Sequence, residues 1–241
     1  QPSQADYFQT VKGGGHGDYR LITLAPSSVQ EMADFVGLGF DLAFKYNNPA
    51  MILADGIIGQ MMEKVVLPPF TPRRTDDEIR KECPWATLGK VGGRKRNVIT
   101  SLELDAAVME ENNLRFQAKY KKIEENEVRF QEIMCDDAEY LLVAFGSSAR
   151  ICQKVVELAR EQGIKLGLLR PITLWPFPTN ILKEYAEKVK GMLVVELNAG
   201  QMVEDVRLAV NGKVKVEHFG RLGGIVFTPD EILHALKEKL F

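Results

Sequence analysis

The sequence has no apolar run approaching the ~20 residues a membrane-spanning helix requires, which places a membrane function at the bottom of the expected classes. Cysteine is scarce: Cys83, Cys135 and Cys152 are the only three. That odd number, with no C-x-x-C pair, excludes a disulfide framework and encodes neither an iron–sulfur nor a zinc site. There is no basic excess either, with 31 Lys and Arg against 33 Asp and Glu for a net charge of -2. Without that footprint, neither nucleic acid nor an anionic membrane is an expected partner. The chain also lacks an initiator methionine, a charged leader and an apolar leader core, so it shows no targeting signal. Its opening, Gln1-Pro2-Ser3, reads as the cut end of a fragment, and its thiol usage suits the cytoplasm. What is present is ordinary globular composition, 241 residues that are 45% hydrophobic and 27% charged, enough for one large domain or two small ones.

Leu21 to Ala25 (LITLA) is a short apolar run stopped at Pro26-Ser27-Ser28, and Ser28 with Glu31 makes the S-x-x-E box that opens a helix. Val29, Met32, Ala33, Val36, Phe40 and Phe44 then recur at spacings of three and four, predicting a helix to about Tyr46 with that face buried. Asn47-Asn48-Pro49 stops it, and Ala50 to Ala54 (AMILA) is a second buried-type strand, giving a β-α-β unit with parallel strands. Between Pro68 and Ser101 the apolar period dissolves into proline, glycine and basic clusters, the pattern of an interdomain connection. Residues 102–133 predict one long charge-rich helix, with Met109, Phe116, Ile123 and Phe130 seven apart on a buried stripe.

From Tyr140 the pattern alternates regularly, with strands expected at 140–145, 165–169, 192–197 and 214–219. Helices are expected at 149–162, 179–190 and 200–210. A last helix is opened by Thr228-Pro229-Asp230-Glu231, which combines an N-cap, Pro at N1 and Glu at N3. Such alternation predicts an α/β fold with a doubly wound, mostly parallel sheet. The expected organisation is a first domain at 1–67, a connection and long helix at 68–133, and a second domain at 134–241.

Candidate chemistry is thin on the residues alone. His16 sits in the glycine-rich run Gly13 to Asp18, either a ligand loop or a surface loop. His218 and His234 read as core or surface residues. Gly146-Ser147-Ser148-Ala149 opens a helix and has amides to offer a phosphate. It matches neither phosphate-loop fingerprint, which favours an N-cap turn. Gly220-Arg221-Leu222-Gly223-Gly224 is an anion cradle or, by preference, a turn. Asp55-Gly56 at a strand's C-terminal end is either a functional position or a helix cap. No nucleophile triad, paired acids or metal-ligand spacing stands out.

Four strings carry more. Gly14-Gly15-His16-Gly17-Asp18, Leu24-Ala25-Pro26-Ser27-Ser28-Val29-Gln30-Glu31-Met32, Ala43-Phe44-Lys45-Tyr46-Asn47-Asn48-Pro49, and Leu53-Ala54-Asp55-Gly56 leading to Gly59-Gln60-Met61-Met62-Glu63 follow in this order. Together they resemble the alpha subunits of 2-oxoacid:ferredoxin oxidoreductases, the 2-oxoisovalerate type most closely. In the second half, Leu169-Arg170-Pro171-Ile172, Leu174-Trp175-Pro176-Phe177-Pro178 and Val195-Glu196-Leu197-Asn198 with Gly200-Gln201-Met202 resemble the transketolase C-terminal-like domain of these subunits.

The resemblance implies that residues 1–67 are the latter half of a thiamine-binding pyrimidine domain. The glutamate that activates the cofactor and the arginine that meets the substrate carboxylate are then expected upstream of Gln1. No residue of this chain is thereby given a catalytic or metal-binding role. By position, Gln4, Asp6, His16, Gly17 and Asp18 are the expected cofactor-binding residues. The implied parent enzyme decarboxylates 2-oxoisovalerate oxidatively on thiamine diphosphate and Mg²⁺, with coenzyme A as co-substrate. Iron–sulfur clusters on its beta and gamma or delta subunits pass the electrons to ferredoxin, and the protein supplies orientation and electrostatics. The isolated chain is expected to be inactive. The competing expectations are a 2-oxoglutarate-specific homologue and a non-catalytic α/β interaction subunit.

Overall fold

Short apolar strands and capped helices build the fold described by the computed structural model, which covers every residue except Leu88 and Val91. In chain order the elements are α1 (Tyr7–Val11), β1 (Ile22–Leu24), α2 (Val29–Tyr46), β2 (Ala50–Ile52), α3 (Gly56–Gln60), α4 (Asp76–Glu82), α5 (Ala106–Asn126), β3 (Phe130–Ile133) and β4 (Tyr140–Val143). There follow α6 (Gly146–Glu161), β5 (Leu166–Pro171), β6 (Thr173–Trp175), α7 (Thr179–Ala186), β7 (Gly191–Glu196), α8 (Met202–Val210), β8 (Lys215–Gly220) and α9 (Pro229–Leu240). Residues 1–66 and 116–241 form one compact unit, and residues 67–115 another.

In the larger unit a five-stranded sheet runs in the order β3-β5-β4-β7-β8. Only β3 is antiparallel to its neighbour, so the expected doubly wound α/β architecture is what forms. Side chains alternate across the sheet because the strand period is two. Leu141, Val143, Met192 and Val194 share a core with Leu182, Val203 and Val206 of α7 and α8. Leu142, Ala144, Leu193 and Val195 share the other with Val155, Val156, Ile232 and Leu236 of α6 and α9. Burial on both faces is why the middle strands read as unbroken apolar runs. A second sheet, β2-β1-β6, joins the parallel pair β1 and β2 to an antiparallel β6.

Several local expectations need correction. In α2 the buried stripe is Phe35, Gly39 and Leu42, whereas Val36, Phe40 and Phe44 are about half exposed or more. The helix is apolar on more than one side, so its period fits two stripes, and the strands beneath it select the second. The expected helix over 102–133 is shorter, since Glu127 to Ile133 leaves it and Phe130–Ile133 pairs with Leu168–Pro171. That pairing takes Phe130 off the seven-residue stripe, on which Ile123 alone is fully buried. Strand β6 fell where no element was expected.

Caps account for the helix starts. Thr228 and Glu231 form the expected reciprocal capping box with Pro229 at N1. Ser28 does accept from the Glu31 amide at 3.1 Å. The Glu31 carboxylate, however, turns to Ser27 N and to Arg170 at 2.7 and 2.8 Å instead of closing the box. A bidentate guanidinium pair is the stronger partner.

The smaller unit contains a helix within the expected structureless connection: Thr75 and Glu78 close a capping box on α4. The stretches 67–75 and 94–105 carry no helix or strand.

Candidate active site and its family

In a doubly wound sheet, ligands bind outside the carboxyl ends of the strands, where the strand order reverses. Here β4 leads through α6 to β5 on one side, while β7 lies on the other, so the crevice is between the ends of β4 and β7. The chain's own Gln4 fills it. Gln4 Nε2 donates to Phe145 O at 2.8 Å, just past β4, and Oε1 accepts from Leu197 N at 3.0 Å, just past β7. Ser148 Oγ donates to the same oxygen at 2.7 Å. The main chain is held as well, by Gln4 N to Leu197 O at 3.0 Å and Asn198 Nδ2 to Gln4 O at 2.9 Å. Buried polar groups persist only when paired, and every polar group of this side chain is paired inside the protein.

Two buried carboxylates frame the crevice. Asp55 accepts at Oδ1 from Ile57 N and Ile58 N, at 3.0 and 3.2 Å, and at Oδ2 from Ser147 N at 2.9 Å. It therefore caps α3 and meets the first turn of α6 at once, which decides between the two readings of Asp55-Gly56. The anion at the N-terminus of α6 is the protein's own, as the helix dipole favours. Gly146 permits the approach: its φ is +56°, and a Cβ there would lie 2.8 Å from both Asp55 Oδ2 and Gln4 Nε2. Glu196, fully buried, accepts from Met202 N at 2.8 Å, Val203 N at 3.0 Å and Asn198 Nδ2 at 3.0 Å, capping α8 from the end of β7. Burial pushes its carboxyl above the ordinary range against these donors.

The sequence-predicted residues separate into two groups. Gln4 is a buried tie, whereas Asp6, His16, Gly17 and Asp18 are exposed. Gln4 and Asp6 share a small cavity with Ser3, Leu53, Ala54, Asp55 and Phe145, of about 20 Å³. That is room for a single water, not for an aromatic ring. The His16 loop is closed by Gly14 N donating to Tyr19 Oη at 2.7 Å, and Asp18 O accepts from Gln117 Nε2 at 3.2 Å. Among the described residues no group of three His, Cys, Asp or Glu is placed to hold a metal ion. Arg221 of the glycine-rich turn pairs with Glu231. No helix of the described residues is long and apolar enough to cross a membrane.

Sequence reasoning missed two ionic anchors. Arg170, 3% exposed, pairs with Glu31 across a polar groove of about 390 Å³ that also presents Gln131, Arg150 and Gln153. Glu127 is buried and accepts from Lys45 Nζ at 2.6 Å, from Tyr46 Oη and from Arg129 at 2.9 Å. Burial alone would raise both carboxyls. For Glu31 the hydrogen bonds from Arg170 and Ser27 outweigh burial, and for Glu127 those from Lys45, Tyr46 and Arg129 do, so both lie below the ordinary range. A carboxyl lowered in the folded state stabilises above its unfolded value of about 4.3, and that contribution is lost as pH falls through the folded value. Acid melting series should therefore show Tm falling below about pH 4.3, with a shallower fall in the double variant Glu31→Gln, Glu127→Gln. An equally steep fall in that variant would rule these two groups out.

Residues 1–134, more than half of the 241, match the family described as "Pyruvate flavodoxin/ferredoxin oxidoreductase, thiamine diP-bdg". The chain belongs to the 2-oxoacid:ferredoxin oxidoreductase family. Residues 138–232 match "Pyruvate:ferredoxin oxidoreductase core domain II". It is 47% identical over 237 residues to the ketoisovalerate oxidoreductase subunit VorB of Methanothermobacter marburgensis, covering 98% of this chain and 65% of that protein. To the 2-oxoglutarate synthase subunit KorA of the same organism it is 33% identical over 260 residues, covering 97% of this chain and 68% of that one. The chain thus spans about two thirds of the length of these relatives. Its fold is that of 2-oxoglutarate:ferredoxin oxidoreductase from Magnetococcus marinus, with a TM-score of 0.79 at 22% identity over 99% of this chain and 45% of that one.

Proposed function

We propose that the chain is a subunit of a 2-oxoacid:ferredoxin oxidoreductase that converts 2-oxoisovalerate, coenzyme A and oxidised ferredoxin into the branched acyl-CoA, carbon dioxide and reduced ferredoxin. The observation that carries this reading is the 47% identity to a ketoisovalerate oxidoreductase subunit against 33% to a 2-oxoglutarate one, over nearly the same span. When bound, thiamine diphosphate supplies the carbanion chemistry of decarboxylation. The residues of this chain do not fit the cofactor by themselves: Gln4 is committed to the crevice, the adjoining space is about 20 Å³, and no metal-ligating group of three is present among the described residues. Mg²⁺ with the diphosphate, and the iron–sulfur clusters, are accordingly assigned to other polypeptides of the complex, the beta and gamma or delta subunits.

Within that assembly, Asp6 and the His16-Gly17-Asp18 loop are the positions through which this chain faces the cofactor, since they are exposed and polar. Gln4 acts behind them, fixing the segment that carries Asp6. The three cysteines are free thiols, which suits a reducing cytoplasm. The rival reading, a non-catalytic interaction subunit, draws support from the filled crevice.

The test is an assay of the complex isolated through a tag on this chain, with thiamine diphosphate, Mg²⁺, coenzyme A and a viologen acceptor. Carbon dioxide release with kcat/KM for 2-oxoisovalerate at least about tenfold above that for 2-oxoglutarate is expected, a discrimination within reach of side-chain complementarity. Preference for 2-oxoglutarate would transfer the chain to the other substrate class. A complex that releases no carbon dioxide from either acid would leave the interaction-subunit reading standing.

A further inference from the structure

Residues 94–105 have the composition of a β-strand and lie outside any sheet. Val98, Ile99 and Thr100 are strand formers. With a period of two, Val98, Thr100, Leu102 and Leu104 share one face of the extended chain, and Ile99, Ser101 and Glu103 share the other. Val98, Ile99, Leu102 and Leu104 are 71–89% exposed. Among the described residues no backbone–backbone hydrogen bond reaches the stretch from Lys95 to Leu104. The Leu102 and Leu104 amides turn only to the side chains of Thr100 and Glu103 beside them. A run of apolar side chains and unpaired backbone is a template for strand pairing.

The base of this arm is fixed. Arg94 donates to Ala86 O at 2.7 Å and Asn97 Nδ2 to Pro84 O at 3.1 Å, closing the loop behind it. Around the arm Lys90, Arg94, Lys95 and Arg96 are cations, and no acid occurs from Cys83 to Leu102.

We propose that residues 95–104 pair as an added strand with an open sheet edge of another subunit of the oxidoreductase, an edge flanked by carboxylates that receive Lys95 and Arg96. The inference rests on the subunit reading given under Proposed function. Strand addition satisfies the idle amides and carbonyls and seats alternate side chains in pockets. A bilayer would leave that backbone unpaired in hydrocarbon, which is prohibitively unfavourable. A second copy of the same arm would set four cations against four.

Hydrogen exchange on the isolated chain and on the complex captured through its tag tests this. In the complex the amides of 98–104 should exchange at least about tenfold more slowly, as paired strands do. Lys95→Glu with Arg96→Glu should weaken capture at least about tenfold at low salt, and Val98→Ser with Leu102→Ser should weaken it at all salt concentrations, both with unchanged melting of the isolated chain. Amides that exchange equally fast in an intact, active complex would overturn the arm alone. Capture of no other oxidoreductase subunit would overturn the subunit reading and the arm together. A homodimer that the charge reversal converts to monomers, or equal protection on phosphatidylglycerol vesicles, would assign the arm a different occupant and overturn the proposal.

Discussion

Glu196→Gln is expected to destabilise the chain by ~2–5 kcal/mol, lowering Tm by roughly 5–15 °C for a chain of this size. Both carboxylate oxygens face donors only: Met202 N and Asn198 Nδ2 at Oε2, and Val203 N at Oε1. Glutamine keeps the shape but turns one acceptor into an NH₂ group aimed at an N–H, so one backbone amide at the start of α8 loses its partner inside the core. Neutralisation also removes the negative charge that the N-terminal end of the helix favours. Against this stands the cost of keeping a carboxylate in a buried site, visible as the upward displacement of its pKa. These three geometrically matched donors make the hydrogen-bond loss the larger effect. Thermal melting by circular dichroism decides it, and a shift under about 2 °C, within the range of ordinary surface substitutions, would mean the cap is dispensable.

Asp55→Ala is expected to cost ~3–5 kcal/mol, because it orphans two buried amides and a half-buried one where a surface cap would leave one or two in water. The affected groups are Ile57 N, Ile58 N and Ser147 N, and they belong to helices 86 residues or more apart in sequence. Loss of the carboxylate also leaves Gln4 Nε2 without its 3.5 Å neighbour. Two measurements distinguish this from a general loosening. Amide exchange should accelerate at 57–58 and 147 ahead of the sheet centre, and Asp55→Asn, which retains one acceptor oxygen, should recover part of the loss. Uniform acceleration across β4 and β7 with no recovery would show that Asp55 acts through packing instead of through these three bonds.

The sequence carries its local devices openly and its long-range ones hardly at all. Thr228 with Pro229 and Glu231 is legible because cap, first turn and N3 partner lie within four residues. Strands β4, β5 and β7 are legible because burial on both faces leaves uninterrupted apolar runs. The stripe of α2 is not, since apolar residues surround much of the helix and only the packed strands choose Phe35 over Val36. The partners of Gln4 are not legible either: its hydrogen bonds reach Phe145, Ser148 and Leu197, 141 to 193 residues away, and no spacing encodes such contacts. Strand β6 escaped for a related reason, because a three-residue strand within the four residues between Pro171 and Pro176 acquires its character from pairing with Thr23 and Leu24. The family resemblance names Gln4, Asp6 and the His16 to Asp18 loop, and individual contacts show that Gln4 has its side-chain polar atoms paired within the chain.

One residue, Ile172, separates β5 from β6, yet β5 lies inside the five-stranded sheet and β6 completes the smaller one. The two sheets are therefore spliced by a continuous stretch of extended chain, and a force applied at β1 passes through β6 straight into β5. Such a splice leaves no loop between the two sheets. A displacement of the smaller sheet is therefore handed to the larger one through main-chain bonds, with one intervening residue to absorb it.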